Sequence, residues 1–122
     1  MRQYSFEKLD VWKLAKDFVI RIYKLTARYP RNERYGIVDQ LKRASVSIST
    51  NLAEGCGRNT SKDKAHFTNM AYGSALECLN LLILSYELNF ISEEELNSLR
   101  SDLEKITKKL SSLRNSQLNP KL

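Results

Sequence analysis

Residues 92–114 read SEEELNSLRSDLEKITKKLSSLR, and this stretch decides the fold. It opens with a capping box, because Ser92 is followed three residues later by Glu95, and its acidic first turn suits the positive end of a helix dipole. Apolar residues then recur every three or four positions, at Leu96, Leu99, Leu103, Ile106, Leu110 and Leu113. Such a seam predicts an amphipathic helix that packs against other helices.

Three further segments have helical periodicity, at residues 6–29, 33–55 and 61–89. Pro30 stops the first segment, and Gly55 or Gly57 is placed to end the second in the left-handed conformation. The second segment has one narrow apolar stripe, formed by Ile37, Leu41, Ala44, Ile48 and Leu52. The short linkers favour an antiparallel, up-down-up-down four-helix bundle.

The composition agrees with an all-α domain. Of the 122 residues, 42% are hydrophobic and 28% are charged, while only four are glycine and two are proline. Few chain breakers favour long helices over a fold with many turns. We therefore expect one domain over residues 1–114, with helices at about 6–29, 33–55, 61–89 and 92–114, and a flexible tail at 115–122.

Several functional classes are disfavoured. Two cysteines and one histidine fit no common zinc spacing, so we expect reduced thiols in a cytoplasmic protein, with no metal and no cofactor. The first residues lack the apolar core of a signal peptide, and the longest apolar run, residues 81–84, is too short for a membrane span. No nucleophile–base arrangement stands out, and we do not expect an enzyme.

Some apolar residues exceed what one core can use. The first segment and the end of the third are apolar over wide arcs, and Val38, Val46 and Ala53 lie opposite the core stripe of the second. Exposed apolar patches of this kind mark interfaces, so the pattern predicts self-association. The alternative is a bulky core with a few surface valines and alanines.

A polar stripe lies beside the core stripe of the second segment. Its members are Gln40, Arg43, Ser47, Asn51, Glu54 and, if the helix continues, Arg58. Asparagine and serine are poor helix formers and need partners. The favoured interpretation is a structural network in which Arg43, Glu54 and Glu77 pair across a helix or subunit contact. The alternative is a ligand-facing stripe with Arg43 and Arg58 binding phosphate.

Positive charge is concentrated in the first half of the chain. Residues 1–64 hold 14 lysines and arginines against 7 acidic residues, a net charge of +7, whereas residues 65–122 have a net charge of −1. A basic half suggests a polyanion partner, although many basic proteins bind none. The predicted nucleic-acid contacts are Lys13, Lys16, Arg21, Lys24, Arg28, Lys42, Arg43 and Arg58. Tyr4, Tyr29 and Tyr35 are the aromatic side chains expected to be available for base stacking.

The order of several short motifs resembles a known family. The motifs are Leu9-Asp10-Val11-Trp12, Tyr29-Pro30, Glu33-Arg34-Tyr35-Gly36, Gln40 to Ile48, Asn51-Leu52-Ala53-Glu54-Gly55, Gly57-Arg58 and Gly73-Ser74, with Ala15, Tyr23, Phe67, Ala71 and Glu77 between or after them. They resemble the four-helix-bundle proteins encoded in 23S rRNA intervening sequences, over residues 6–91. Cys56 departs from the pattern, since relatives commonly have an aromatic residue there.

The resemblance implies a ring-like homopentamer. It also implies kinship with the accessory protein of diversity-generating retroelements, a basic pentamer that binds nucleic acid and a reverse transcriptase. It supplies no catalytic residues.

Three hypotheses follow. The leading one is a non-enzymatic cytoplasmic pentamer that binds RNA or other structured nucleic acid through phosphates. The alternative is an oligomeric adaptor that docks a protein partner, such as a nucleic-acid-processing enzyme. An enzyme or metal protein comes third.

Overall fold

The structure, a computed structural model, describes residues 1–120. Its four helices are α1 (Asp10–Thr26), α2 (Ile37–Cys56), α3 (Ser61–Glu87) and α4 (Glu93–Leu118). Two short 3-10 turns precede α1 and α2, at Ser5–Lys8 and Arg31–Glu33, and residues 1–120 contain no strand. The predicted all-α fold is confirmed.

The four helices form a bundle around one core. Each helix packs against its neighbours in sequence, and α1 also packs against α4. The backbones of α1 and α3 are separated by the core, with no Cα atoms within 8 Å of each other in residues 1–120. The central side chains are Ala15, Phe18 and Ile22 of α1, Leu41 and Ile48 of α2, Ala71, Cys78 and Leu82 of α3, and Leu99, Ile106 and Leu110 of α4.

The periodic apolar positions are buried as predicted. All five members of the narrow stripe of α2 lie in the core. The seam of α4 is buried from Leu96 to Leu110, and Leu113 is half-buried against the same cluster. These two helices therefore take their orientation from a 3.6-residue apolar period.

The ends of α1 and the start of α2 differ from the prediction. The chain is extended at Leu9, with φ −72° and ψ 126°, so α1 begins at Asp10. It ends at Thr26, and Tyr29 donates its N–H to the carbonyl of Thr26, three residues back (3.0 Å). The residue before a proline is disfavoured in the α conformation, so the helix does not extend to Tyr29 as predicted. α2 begins at Ile37, four residues later than predicted.

The left-handed backbone occurs at a different helix end from the one predicted. Gly55 lies inside α2 and Gly57 has φ −87°, so neither is left-handed. The left-handed residue is Asn89, with φ 64°, directly after α3. There the N–H of Phe90 donates to the carbonyl of Ser85 (2.8 Å), in the Schellman arrangement.

The start of α4 is as predicted, but its end is not. The capping box is present, whereas the helix continues beyond the predicted end at residue 114. Ser92 and Glu95 exchange hydrogen bonds of 3.0 and 3.1 Å. The helix runs to Leu118, so the prediction of a flexible tail is wrong for residues 115–118. Gln117 is fixed by Thr68 of α3, whose hydroxyl donates to its side-chain oxygen (2.8 Å). Residues 121 and 122, also assigned to the tail, lie outside the described residues.

Apolar side chains are exposed on α1, α2 and α3. The large exposed ones are Ile20 and Tyr23 on α1, Val46 on α2, and Met70, Leu76 and Leu84 on α3. Leu88 follows the end of α3, and Leu118 is the last residue of α4. The surplus predicted for the first and third segments is confirmed. Of the three residues predicted opposite the α2 core stripe, only Val46 is exposed, whereas Val38 is buried and Ala53 is half-buried.

Candidate nucleic-acid interface

The polar stripe of α2 faces α3 at its centre. Asn51 donates to the hydroxyl of Ser47 (3.1 Å) and to the carbonyl of the same residue (2.9 Å). Ser74 of α3 donates to the hydroxyl of Ser47 across the helix contact (2.9 Å). The structure therefore brings Ser47 and Asn51 into a small network, with Ser74 as a partner that the sequence did not identify.

The charged members of the stripe do not join this network. Arg43 pairs with Asp39, one turn earlier on the same helix (3.1 Å), and not with Glu54 or Glu77. The pairing predicted among these residues is thus wrong within the chain, because all are exposed and α2 supplies a nearer carboxylate. Pairing between subunits stays a prediction, and Gln40 is likewise exposed.

A shallow groove follows the outer surface of α2. It has a volume of about 500 Å³ and is lined by Tyr23 of α1 and by charged, polar and apolar side chains of α2. Lys42 lies over the ring of Tyr23, 4.8 Å from its centre. Acidic Asp39 and Glu54 line the same groove, so this surface lacks the uniform positive charge that phosphates favour.

Two of the predicted basic residues on α1 have acidic partners on α4. Arg21 pairs with Asp102 and also donates to the hydroxyl of Ser98 (3.0 Å), while Arg28 pairs with Glu95. These contacts neutralise much of the charge of the two guanidinium groups. Each exposed pair adds about 0–1 kcal/mol of stability, so they mainly orient α1 against α4.

The remaining predicted cations are spread over the surface. Lys16 lies over Trp12 (5.7 Å) and Arg58 lies over Phe67 (4.4 Å), each measured to the ring centre. Lys13 and Lys24 are exposed, with no acidic partner within 4.0 Å among residues 1–120. Of the eight predicted residues, Arg21, Arg28 and Arg43 therefore have acidic partners among residues 1–120, and the other five have none within 4.0 Å.

A second group of cations lies on the α2–α3 loop, the start of α3 and the last three turns of α4. Thr68 bonds to Gln117, and Arg114 donates to the side-chain oxygen of Asn69 (3.2 Å), so the end of α4 lies beside the start of α3. We call the six cations of these segments the basic end: Arg58, Lys62, Lys64, Lys108, Lys109 and Arg114.

The basic end was missed from sequence except for Arg58. None of its cations has an acidic partner within 4.0 Å among residues 1–120, although Glu54 and Asp63 lie nearby in the chain. The available signal was residues 105–120, which hold four lysines and arginines and no acidic residue. Cations near the end of a helix are also stabilised by the negative end of its dipole, so this signal alone does not indicate a binding surface.

The aromatic residues expected for stacking are partly available. Tyr35 and Tyr4 are 86% and 63% exposed, but Tyr29 is buried against Phe90, with ring centres 5.3 Å apart. The prediction for Tyr29 is therefore wrong, because the turn before Pro30 directs its ring inward. Tyr23 is an additional exposed aromatic residue.

Comparison with known proteins identifies the family. The family model described as 23S rRNA-intervening sequence protein matches residues 7–112 of the chain. The chain belongs to this family. The match includes most of α4, whereas the motif resemblance extended only to residue 91. No curated protein matches the chain.

The intervening-sequence fold is also seen in a solved structure. That structure is of a protein from Bacteroides thetaiotaomicron, described as having unknown function and coming from the S23 ribosomal protein family. Its TM-score is 0.80 at 24% identity, with 86% of this chain and 95% of that chain covered. At this level of identity the likeness shows the fold alone.

This member of the intervening-sequence family contains two cysteines and one histidine. Residues 1–120 contain no group of three histidine, cysteine or acidic side chains placed to hold a metal. Cys56 and Cys78 are free thiols, and burial raises the pKa of Cys78 to about 12. His66 is exposed. No helix within residues 1–120 combines the length and the apolar character needed to cross a bilayer.

Proposed function

We propose that this protein is a non-enzymatic, cytoplasmic homopentamer that binds RNA or other structured nucleic acid through phosphates. The observation that carries the proposal is the basic end, whose six cations come from three parts of the chain and have no acidic partner within 4.0 Å among residues 1–120. Lysine and arginine side chains of this kind neutralise phosphates and release counterions. Membership of a family named for an rRNA insertion agrees with an RNA partner.

The subunit in this proposal is an antiparallel, up-down-up-down bundle. Arg28, near the end of α1, pairs with Glu95 at the start of α4, while Arg21 pairs with Asp102 further along α4. Between α2 and α3, Ser47 contacts Ser74. These pairings support opposite directions for neighbouring helices, as short linkers require.

Assembly is supported by the exposed apolar side chains on three helices, and the number five comes from the family resemblance. In solution we expect a mass about five times the 14.1 kDa of one subunit, measured by light scattering during gel filtration. A mass near one subunit at micromolar concentration would contradict the assembly, and another multiple would contradict the number five.

RNA binding is tested by filter binding of 23S rRNA fragments over a range of salt concentrations. The test variant changes three cations of the basic end, Lys62→Gln, Lys108→Gln and Lys109→Gln. We expect weaker binding and a salt slope reduced by about 2–3, because each lost phosphate contact removes about 0.7–0.9 from the slope. Absence of binding by the parent protein at low salt would refute the proposal.

The matched control changes three of the cations predicted from sequence that lie outside the basic end, Lys16→Gln, Lys42→Gln and Arg43→Gln. It removes the same charge, and we expect a smaller effect on the salt slope. A larger effect would assign the phosphate contacts to these residues and not to the basic end.

A further inference from the structure

The outer face of α3 is apolar and acidic. Leu84 and Leu88 are 44% and 54% exposed, and Glu77 precedes Leu84 by two helical turns on the same face. Residues 65–92 contain no lysine or arginine, and their acidic residues are Glu77 and Glu87, both exposed. An exposed leucine row beside carboxylates is typical of a surface that another molecule covers.

Gly73 lies one turn before Glu77 on this face. A Cβ added to Gly73 would meet nothing within 4 Å, so nothing in the described chain requires a glycine there. Glycine weakens a helix interior, but it permits another backbone to approach closely. We call Gly73, Glu77, Leu84 and Leu88 the α3 stripe.

The outer face of α1 has the complementary character. Ile20 is 48% exposed and lies between Lys13 and Lys24, which are also exposed, and exposed Lys16 and Asp17 lie beside them, so the face has a net positive charge. We call Lys13, Ile20 and Lys24 the α1 stripe. Its spacing of seven and four residues equals that of Glu77, Leu84 and Leu88, so both stripes run along one face of their helices for the same length.

The two stripes cannot meet within one chain, because α1 and α3 lie on opposite sides of the core. The α1 stripe and the α3 stripe thus face away from each other on the same molecule. One combines lysines with an isoleucine, and the other combines a glutamate with leucines. A nucleic acid would be repelled by the carboxylates of the α3 stripe, whereas a second copy offers the matching surface to both.

We propose that the α1 stripe of one copy binds the α3 stripe of the next copy, so that subunits join head to tail. This inference rests on the proposed self-association and assigns it to two different faces. Contacts between unlike faces close into rings when the rotation permits. The outer face of α4 has no large exposed apolar residue between Glu93 and Gln117 and stays in solvent.

Charge reversal of each face tests the contact. One variant carries Lys13→Glu and Lys24→Glu, and the other carries Glu77→Lys and Glu87→Lys. Each variant alone presents like charges on both stripes, so we expect its mass to fall towards 14.1 kDa. In a ring of five the two variants cannot alternate, so the charges are restored by placing all four reversals in one chain. That chain presents opposite charges at every contact, and we expect it to regain the mass of the parent.

Circular dichroism of each variant shows whether the bundle is folded. The control reverses two cations of α4, Lys105→Glu and Lys109→Glu, and should keep the parent mass while losing RNA binding. A parent protein of one-subunit mass would overturn both this contact and self-association. Unchanged masses in both variants, or a folded four-reversal chain that stays at low mass, would overturn the α1–α3 contact alone.

Discussion

Alanine at Gly55 tests the closest approach of α2 and α3. Gly55 is buried inside α2, and an added Cβ would lie 2.9 Å from the Cβ of Phe67. Real Cβ atoms do not approach so closely, so the helices must move apart or Phe67 must shift. The same region carries Arg58 over the Phe67 ring, and it leads into the loop that forms part of the basic end.

The magnitude follows from comparing Gly55 with Gly73. Both glycines lie inside helices, so replacement by alanine gains about 1 kcal/mol of helix propensity at each. At Gly73 no atom of the described chain is within 4 Å, so within one subunit the gain stands alone, and a loss through the proposed α3 contact would show as a dependence on protein concentration. At Gly55 the overpacking costs about 1–3 kcal/mol. The difference between the two variants should therefore be about 1–3 kcal/mol, with Gly55→Ala the less stable.

Urea unfolding followed by circular dichroism measures both variants. The measurement is repeated over a range of protein concentrations, because a change in assembly depends on concentration and an internal clash does not. Equal stability of the two variants, or a Gly55→Ala protein more stable than Gly73→Ala at every concentration, would refute the packing argument.

Three other residues give sharper local predictions. Asn89→Ala should lower stability by about 1–2 kcal/mol through its left-handed backbone, whereas Asn89→Gly should not, as measured by urea unfolding. The pKa of Glu95 is lowered by the Ser92 N–H and by Arg28. The contribution of Glu95 to stability is therefore present at neutral pH and should disappear as the pH falls through that lowered pKa. Glu95→Gln should reduce the loss of stability on the acid side, measured by urea unfolding at several pH values. Cys78 is buried and its pKa is raised to about 12, whereas Cys56 is half-buried. A thiol reagent should therefore label Cys56 first and Cys78 only on unfolding. Equal labelling rates would contradict the position of Cys78 in the core.

The bundle was predictable because burial is periodic. In α2 and α4 the apolar residues recur with the helical period, and the same residues form the core. Local chemistry also identified the capping box at Ser92, since both of its members lie within one turn. Information of this kind is contained in short stretches of sequence.

Helix ends were less predictable because distant contacts decide them. Residues 115–118 contain asparagine and serine, which are poor helix formers, and fraying was the natural expectation. Gln117 nevertheless receives a hydrogen bond from Thr68, 49 residues away, and Arg114 donates to Asn69. Tertiary contacts of this kind override weak local propensity.

The candidate site was least predictable, because charge along the chain does not give charge on the surface. Arg21 and Asp102 are 81 residues apart and their pairing depends on how α1 lies against α4. The polar stripe shows the same limit. Periodicity places Arg43 and Ser47 on one face of α2, but only the structure shows that Arg43 forms an ion pair with Asp39 and that Ser47 accepts a hydrogen bond from Ser74.

The positive first half of the chain thus separates into surfaces with different roles. Arg21 and Arg28 are held by acidic residues of α4, and Lys13 and Lys24 flank an exposed isoleucine on a face that fits the acidic α3 stripe. The cations without acidic partners at the basic end come from both halves, so the net charge of the first half does not mark the polyanion site. If copies join through α1 and α3, that end stays uncovered, and a ring would present one basic end for each subunit. Phosphate contacts from several subunits would then act on one nucleic acid. Linked weak contacts raise the overall affinity, so a surface that does not read base sequence can still bind tightly.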